Sequence, residues 1–284
     1  MKIRRAFYVL LAALPLSGTA RAAGGSGAET PSQPGSTVQM AMTLYAGGVT
    51  LGKVDMNLTI RGNDYHVVSN LQTGGVVNAF WQSEIQATSN GTVAPHSFHP
   101  ALYDSFYTGR SDKKQEVSLT YDANGPIRLF ADPPYSTTGY EVSPAQQKGT
   151  FDPISAITYL VSGVGAAADN ACGVTLPVFD GRRRYDVEIT RVKDTTVSMD
   201  NGLYKGHALL CQLKYKQLAG YKPKVIKEGA SFPLINAWVT TFPSAVTGRN
   251  YVIPLRVWAD TSYGVIAAVT TSVKIDGTAP KPAG

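Results

Sequence analysis

An all-β fold, mainly antiparallel, is what this sequence predicts: one large curved sheet, β-spiral or barrel-like, with one short helix at residues 152–164. Three observations carry that reading: apolar and polar residues alternate through most of the chain, turn signals recur between the alternating runs, and a single stretch has a helical period. In residues 52–60 (GKVDMNLTI), Val54, Met56, Leu58 and Ile60 share one face while Lys53, Asp55, Asn57 and Thr59 take the other, the pattern of a half-buried strand. Val38, Met40, Met42 and Leu44 repeat it one strand earlier, and Gly47-Gly48 between the two runs accepts the positive φ values of a tight hairpin. Further turns are expected at Gly62-Asn63-Asp64, Asn90-Gly91, Asn124-Gly125, Asp180-Gly181, Asn201-Gly202 and Gly248. In residues 151–164 (FDPISAITYLVSGV), Ile154, Ile157, Leu160, Val161 and Val164 fall on one helical face, with Asp152 as N-cap and Pro153 at the first helical position. A dozen or so strands with one helix suit a sheet that curls round, the helix lying against its open face or mouth. No repeat of fixed period is present, which argues against a propeller.

The first 22 residues read as a secretory signal peptide: Lys2, Arg4 and Arg5, an apolar run over residues 6–16, and Ala20-Arg21-Ala22 as a small-x-small cleavage site near Ala22. That run is too short to cross a bilayer and no later stretch comes closer, so the expectation is an exported, periplasmic protein without a transmembrane segment in the mature chain. The Arg4-Arg5 pair lacks the rest of a twin-arginine signal. Removing residues 1–22 takes away Lys2, Arg4, Arg5 and Arg21 and no acid, which leaves 22 basic against 20 acidic residues, a net charge of +2 instead of +6. A balance so close to neutral argues against a nucleic-acid partner. Residues 23–37 (AGGSGAETPSQPGST) read as a flexible leader, residues 38–277 as a single β-rich domain and residues 278–284 as a disordered tail.

Cys172 and Cys211 are the two cysteines, and in an exported chain they are expected to form a structural disulfide; a thiol-redox pair would want the C-x-x-C spacing that is absent. The motifs G-x-S-x-G, H-E-x-x-H and the P-loop are missing. Ser111-Asp112-Lys113-Lys114 fits S-x-x-K but has no companion motif and precedes a strand. His96 and His99 sit in a proline-bounded loop and have no third ligand in view, so no metal and no cofactor are expected.

The densest chemistry lies in residues 175–190 (TLPVFDGRRRYDVEIT). If Asp180-Gly181 is a two-residue turn, Phe179 faces Arg182, Val178 faces Arg183 and Leu176 faces Tyr185. Val174, Leu176, Val178, Tyr185, Val187 and Ile189 then form an apolar face on which Arg183 is the one charge; Arg182, Arg184, Asp186 and Glu188 form a solvated lattice of weak ion pairs on the other. A guanidinium at the edge of an apolar interior needs an acid, carbonyls or the headgroup of a ligand.

The run of residues 176–186 (LPVFDGRRRYD), with Cys172 upstream and Phe151-Asp152-Pro153 opening a helix before it, resembles the bacterial periplasmic family named as domain of unknown function 3108. The resemblance extends over most of the mature chain, outside the leader. At fold level it implies likeness to the β-spiral envelope-integrity proteins and, more loosely, to the half-barrel lipoprotein carriers of the periplasm. It brings no reaction and no catalytic residues.

Aromatic residues are frequent: Trp81, Trp238 and Trp258 join 15 Tyr and 9 Phe, several of them on strands such as residues 236–242 (NAWVTTF) and 251–258 (YVIPLRVW). An ordinary β core accounts for them; so does an aromatic-walled groove that takes an acyl chain or other amphiphile, with Arg183, Tyr185, Trp238, Arg256 and Trp258 as its ligand-binding residues and Arg183 near the mouth. The functional expectation is a non-enzymatic periplasmic protein that supports the cell envelope by binding a lipid, another amphiphile or an envelope protein. The alternatives are a structural module with a filled core, and an envelope-polymer hydrolase whose paired carboxylates sequence alone does not bring together.

Overall fold

The computed structural model describes residues 34–74, 82–95, 97–164, 171–228, 232–262 and 264–280. The expected signal peptide, most of the expected leader, Trp81 and His96 lie outside them. Thirteen strands form one antiparallel sheet: β1 (Gly35–Ala46), β2 (Val49–Arg61), β3 (Asp64–Thr73), β4 (Ser83–Ala94), β5 (Ser97–Gly109), β6 (Lys114–Asp122), β7 (Gly125–Asp132), β8 (Val174–Phe179), β9 (Arg184–Ser198), β10 (Lys205–Ala219), β11 (Ile235–Pro243), β12 (Asn250–Thr261) and β13 (Gly264–Ile275). Three short helices accompany them, α1 (Pro144–Gln147), α2 (Pro153–Val161) and α3 (Pro223–Glu228), with a 3-10 turn at Arg110–Asp112. The expected lone helix at 152–164 is therefore shorter and has company. Gly35, Ser36 and Thr37, read as leader, already belong to β1, where Ser36 is buried and donates to Asp276 Oδ1 at 2.7 Å.

Strand order runs β7-β6-β5-β4-β3-β2-β1-β13-β12-β11-β10-β9-β8. The alternation in the sequence sets it: Val38, Leu58, Val67, Ser89, Tyr103 and Leu119 are successive cross-strand partners, or partners of partners, and all are buried. The register at β1 and β2 expected from Gly47-Gly48 is present. Asn90-Gly91 is not a turn. Gly91 lies inside β4 at a bulge, where a Cβ would stand 2.1 Å from the carbonyl oxygen of His99; the glycine allows close backbone approach.

The sheet does not close, because β7 and β8 are end strands with no ladder between them. It curls until they nearly meet. Phe179, at the end of β8, is buried against Val117, Leu119 and Tyr121 of β6, and a Cβ on Gly181 would stand 2.6 Å from Val117 Cγ1 and 3.2 Å from Leu129 Cδ1. The segment from β7 to β8 crosses the gap: Gly149 N–H donates to Asn124 O at 2.7 Å, Phe151 N–H donates to Pro177 O at 2.8 Å, and Phe179 N–H donates to Phe151 O at 2.9 Å. Phe151 thus covers the outer edge of β8.

The same segment continues into α2, which fills the concave side of the sheet. Residues Ile154, Ala156, Tyr159, Leu160 and Val161 join clusters built from nearly every strand. Asp152 caps the helix through a 2.7 Å bond from Ser155 N–H, and Pro153 opens it as expected. Of the expected apolar face Val161 and Val164 are buried and Ile154 and Leu160 pack against the clusters, but Ile157 is exposed. Ser155, Thr158 and Ser162 are buried as well, Ser155 beside Tyr65 and Ser89 and the other two bonded to carbonyls of the helix itself.

Candidate functional site

Three arginine and aromatic groupings and one buried polar network stand out. On β11 and β12 the register places Trp238 opposite Arg256, with Trp258 two residues further along the same face; β13 contributes Val269 and Ala267 opposite Arg256 and Trp258. Ala267 is small, which leaves space beside the indoles. The Arg256 guanidinium lies 5.7 Å from the Trp238 ring centre and 5.3 Å from that of Trp258, and the two rings meet edge to face at 4.9 Å. Cation–π contacts of this kind contribute about 0.5–2 kcal/mol each, more as water is excluded. Arg256 Nε is buried without a hydrogen-bond partner, and the residue forms no ion pair among the described residues. Trp238 and Arg256, with Trp258 behind them, form the floor of a cleft of about 440 Å³, flanked by Tyr45 from the end of β1 and by Met199, Asp200 and Asn201 from the loop between β9 and β10. That loop is pinned down: Asn201 Nδ2 donates to Thr270 O at 2.9 Å, and Met199 N–H donates to Tyr204 O at 2.9 Å. Chemically, the arrangement offers a delocalised cation on an apolar floor.

Arg183 and Tyr185, expected in the same groove, lie elsewhere. Asp180 Oδ1 accepts from the N–H groups of both Arg182 (2.9 Å) and Arg183 (2.6 Å), so the connection is a four-residue loop over residues 180–183 and not the expected two-residue turn. Phe179 consequently pairs with Arg184, Val178 with Tyr185 and Leu176 with Val187, a slip of two residues that keeps every side chain on its expected face from Arg184 onward. Arg183 leaves the apolar face altogether. Its side chain is 46% exposed, 4.0 Å from Asp180 Oδ2 and over the ring of Tyr221. Tyr185 stacks on Tyr215, whose hydroxyl is hydrogen-bonded to that of Tyr221, and burial pushes the Tyr185 hydroxyl well above its ordinary pKa. Arg184 pairs with Asp186 at 2.6 Å as the charged lattice required.

The arginine that does meet the interior's edge is Arg182. Its guanidinium lies 5.5 Å from the ring centre of Tyr135, and its Nε is buried and unpartnered. It lines a groove of about 470 Å³ between β7 and the crossing segment. Alternation placed Arg183 on the apolar face and Arg182 on the solvated one; the four-residue loop reverses this, and Tyr135, which the chain supplies from the other edge of the sheet, covers Arg182.

Sequence reasoning also missed the polar network around Asp152. The Tyr65 hydroxyl lies 2.8 Å from Ser155 Oγ, Ser89 Oγ donates to Asp152 Oδ2 at 3.3 Å, and Ser155 Oγ donates to the same carboxylate oxygen. Burial raises the Asp152 pKa from 3.8 to about 6, against the opposing effect of its hydrogen bonds from Ser155 and Ser89. Burial likewise pushes Tyr65, Tyr103 and Tyr121 upward. A readable signal existed: Ser155, Thr158 and Ser162 recur at helical spacing. Cys172, just before β8, and Cys211 on β10 form the expected disulfide, with Cα atoms 6.0 Å apart. No helix among the described residues is long and apolar enough to cross a membrane.

Fold and clefts together define a curled, open antiparallel sheet with a helix in its concave side and arginines stacked on aromatic rings at its flanks. Residues 39–271 match the family described as Protein of unknown function (DUF3108), and the chain belongs to that family. Among solved structures it is similar to a β-barrel-like protein of domain of unknown function DUF1849 from Brucella abortus, at 12% identity and a TM-score of 0.49, over 86% of this chain and 98% of that one. It is also similar to a DUF1329 family protein from Desulfovibrio piger, at 8% identity and a TM-score of 0.22, over 87% of each chain. Comparison with the curated proteins gives no match.

Proposed function

We infer that this is an exported, non-catalytic protein of the cell envelope that holds an anionic amphiphile in the cleft over Trp238, Arg256 and Trp258. The carrying observation is the Arg256 guanidinium, which lies against a pair of touching indoles, with an unpaired Nε, and lines a cleft of about 440 Å³. A buried charged donor without a partner is costly by roughly 1–3 kcal/mol, and a carboxylate or phosphate head removes that cost. Trp238, Val269 and Ala267 would carry the apolar part of the ligand. Export rests on the basic and apolar start of the sequence and on the disulfide.

Native mass spectrometry after mild purification, followed by titration with a fluorescent fatty acid, tests this reading. Arg256→Ala is expected to weaken binding by about tenfold or more. Absence of both co-purified lipid and fatty-acid uptake rejects it. A second reading, an interaction module, is favoured by one observation: much of the concave side is filled by α2 and by side chains such as Tyr65, Phe98 and Tyr159.

A further inference from the structure

The two ends of the sheet are finished differently. Phe151 hydrogen-bonds along the outer edge of β8, but among the described residues no backbone hydrogen bond joins the outer edge of residues 127–131 in β7 to another segment. Natural edge strands are normally protected by lysines, prolines, bulges or a covering segment. Pro126 and a bulge at Ile127 interrupt the start of β7, but residues 128–131 carry no lysine, proline or bulge and no paired segment, and the strand exposes Ile127 (64%), Phe130 (47%) and Leu129 (44%). Leu129 and Phe130 also form one wall of the groove of about 470 Å³ whose other side carries Tyr135 and Arg182. The one carboxylate on that groove, Glu141, is turned back on its own loop and accepts from Gly139 N–H at 3.0 Å. Arg182 Nε is buried there without a partner, and Arg128 adds a second positive charge on the strand itself.

We propose that β7 and this groove form a docking site for an extended peptide of a partner protein, added to the sheet as one further strand, with an acidic side chain of the peptide meeting Arg182. Main-chain hydrogen bonds to the free edge supply affinity without sequence preference, and the apolar residues flanking it favour alternating Val or Ile. Charge complementarity selects the acidic group: a carboxylate accepts from a guanidinium already oriented by Tyr135.

The test uses the full chain and a labelled peptide of about eight residues, the length of a short strand, alternating Val and Thr around a central Glu. Anisotropy is expected to show binding that weakens about tenfold when the Glu is replaced by Gln, with the discrimination lost in Arg182→Ala. Hydrogen exchange at residues 127–131 should slow on peptide addition. Phe130→Lys, which charges the exposed face of the strand at the groove, should abolish binding of both peptides and carries the test if Arg182→Ala fails to fold. Equal binding of the Glu and Gln peptides overturns the proposal, as does unchanged exchange along β7. A concentration-dependent dimer that protects the same amides without peptide overturns it too, since the occupant is then a second copy.

Discussion

The two end strands of the sheet, β8 and β7, are similar in composition and opposite in fate. Val178 on β8 is 1% exposed, held between the crossing segment, the disulfide and α2, whereas Phe130 on β7, paired with Ser118 on the face away from Leu119, is 47% exposed. Both strands bring apolar side chains to an edge; what separates them is that the chain returns along β8 and not along β7. The lesson is that an edge is finished by its neighbours, and the unfinished one is where the molecule has surface left to use.

The sharpest way to break this contrast is to place the same residue at both edges. Val178→Lys puts an unpaired ammonium into the core and is expected to destabilise by more than about 4 kcal/mol, while Phe130→Lys on the outer face of β7 stays within about 0.5 kcal/mol; urea midpoints of the two variants read the difference directly. Next comes the disulfide on the finished side. With a sequence separation of 39 residues, Cys172→Ser combined with Cys211→Ser is expected to remove about 4 kcal/mol of stability. Equal melting temperatures with and without reductant would contradict it.

A smaller effect comes from Asp152. Asp152→Ala removes the cap of α2 and leaves Ser155 N–H and the Ser89 hydroxyl without their acceptor, for about 3 kcal/mol in total. Asp152→Asn keeps an acceptor and isolates the charge. Because burial raises the folded pKa from 3.8 to about 6, the folded protein holds this proton more tightly than the unfolded chain does. The resulting stabilisation is complete below pH 3.8 and is lost as pH rises through about 6. Wild type should therefore lose about 2–3 kcal/mol relative to Asp152→Asn over that window. Parallel pH-stability curves for the two proteins would show that the carboxyl does not titrate as buried.

Much of this architecture was legible because strand alternation and helix capping are local. Residues 52–60 announced β2, and Asp152-Pro153 announced the start of α2. The slip of two residues at Asp180 went unread because the Asp side chain, accepting from the N–H groups of Arg182 and Arg183, holds a longer loop together alongside the backbone bond from Asp180 N–H to Arg183 O. That Arg182 and Arg184 are covered while Arg183 is exposed was illegible for a different reason: the answer depends on Tyr135 and Gln146, dozens of residues upstream, and on how far the sheet curls. Trp238, Arg256 and Trp258 were brought together as expected, since their strands are neighbours in sequence and pair directly. Tyr65 and Ser89 reach Asp152 from strands that belong to the other half of the chain, and no periodicity within either strand marks the meeting.

The strand order carries one more consequence. Reading it from either end, β1 through β7 and β8 through β13 are each an unbroken series of consecutive hairpins, and only the β1–β13 ladder joins the two series within the sheet. A nick between Thr138 and Gly139, in the exposed part of the crossing segment, leaves every hairpin intact on one piece or the other. The protein is thus divisible into two complementary polypeptides, rejoined by one ladder within the sheet and by α2, which one piece would insert into the core of the other.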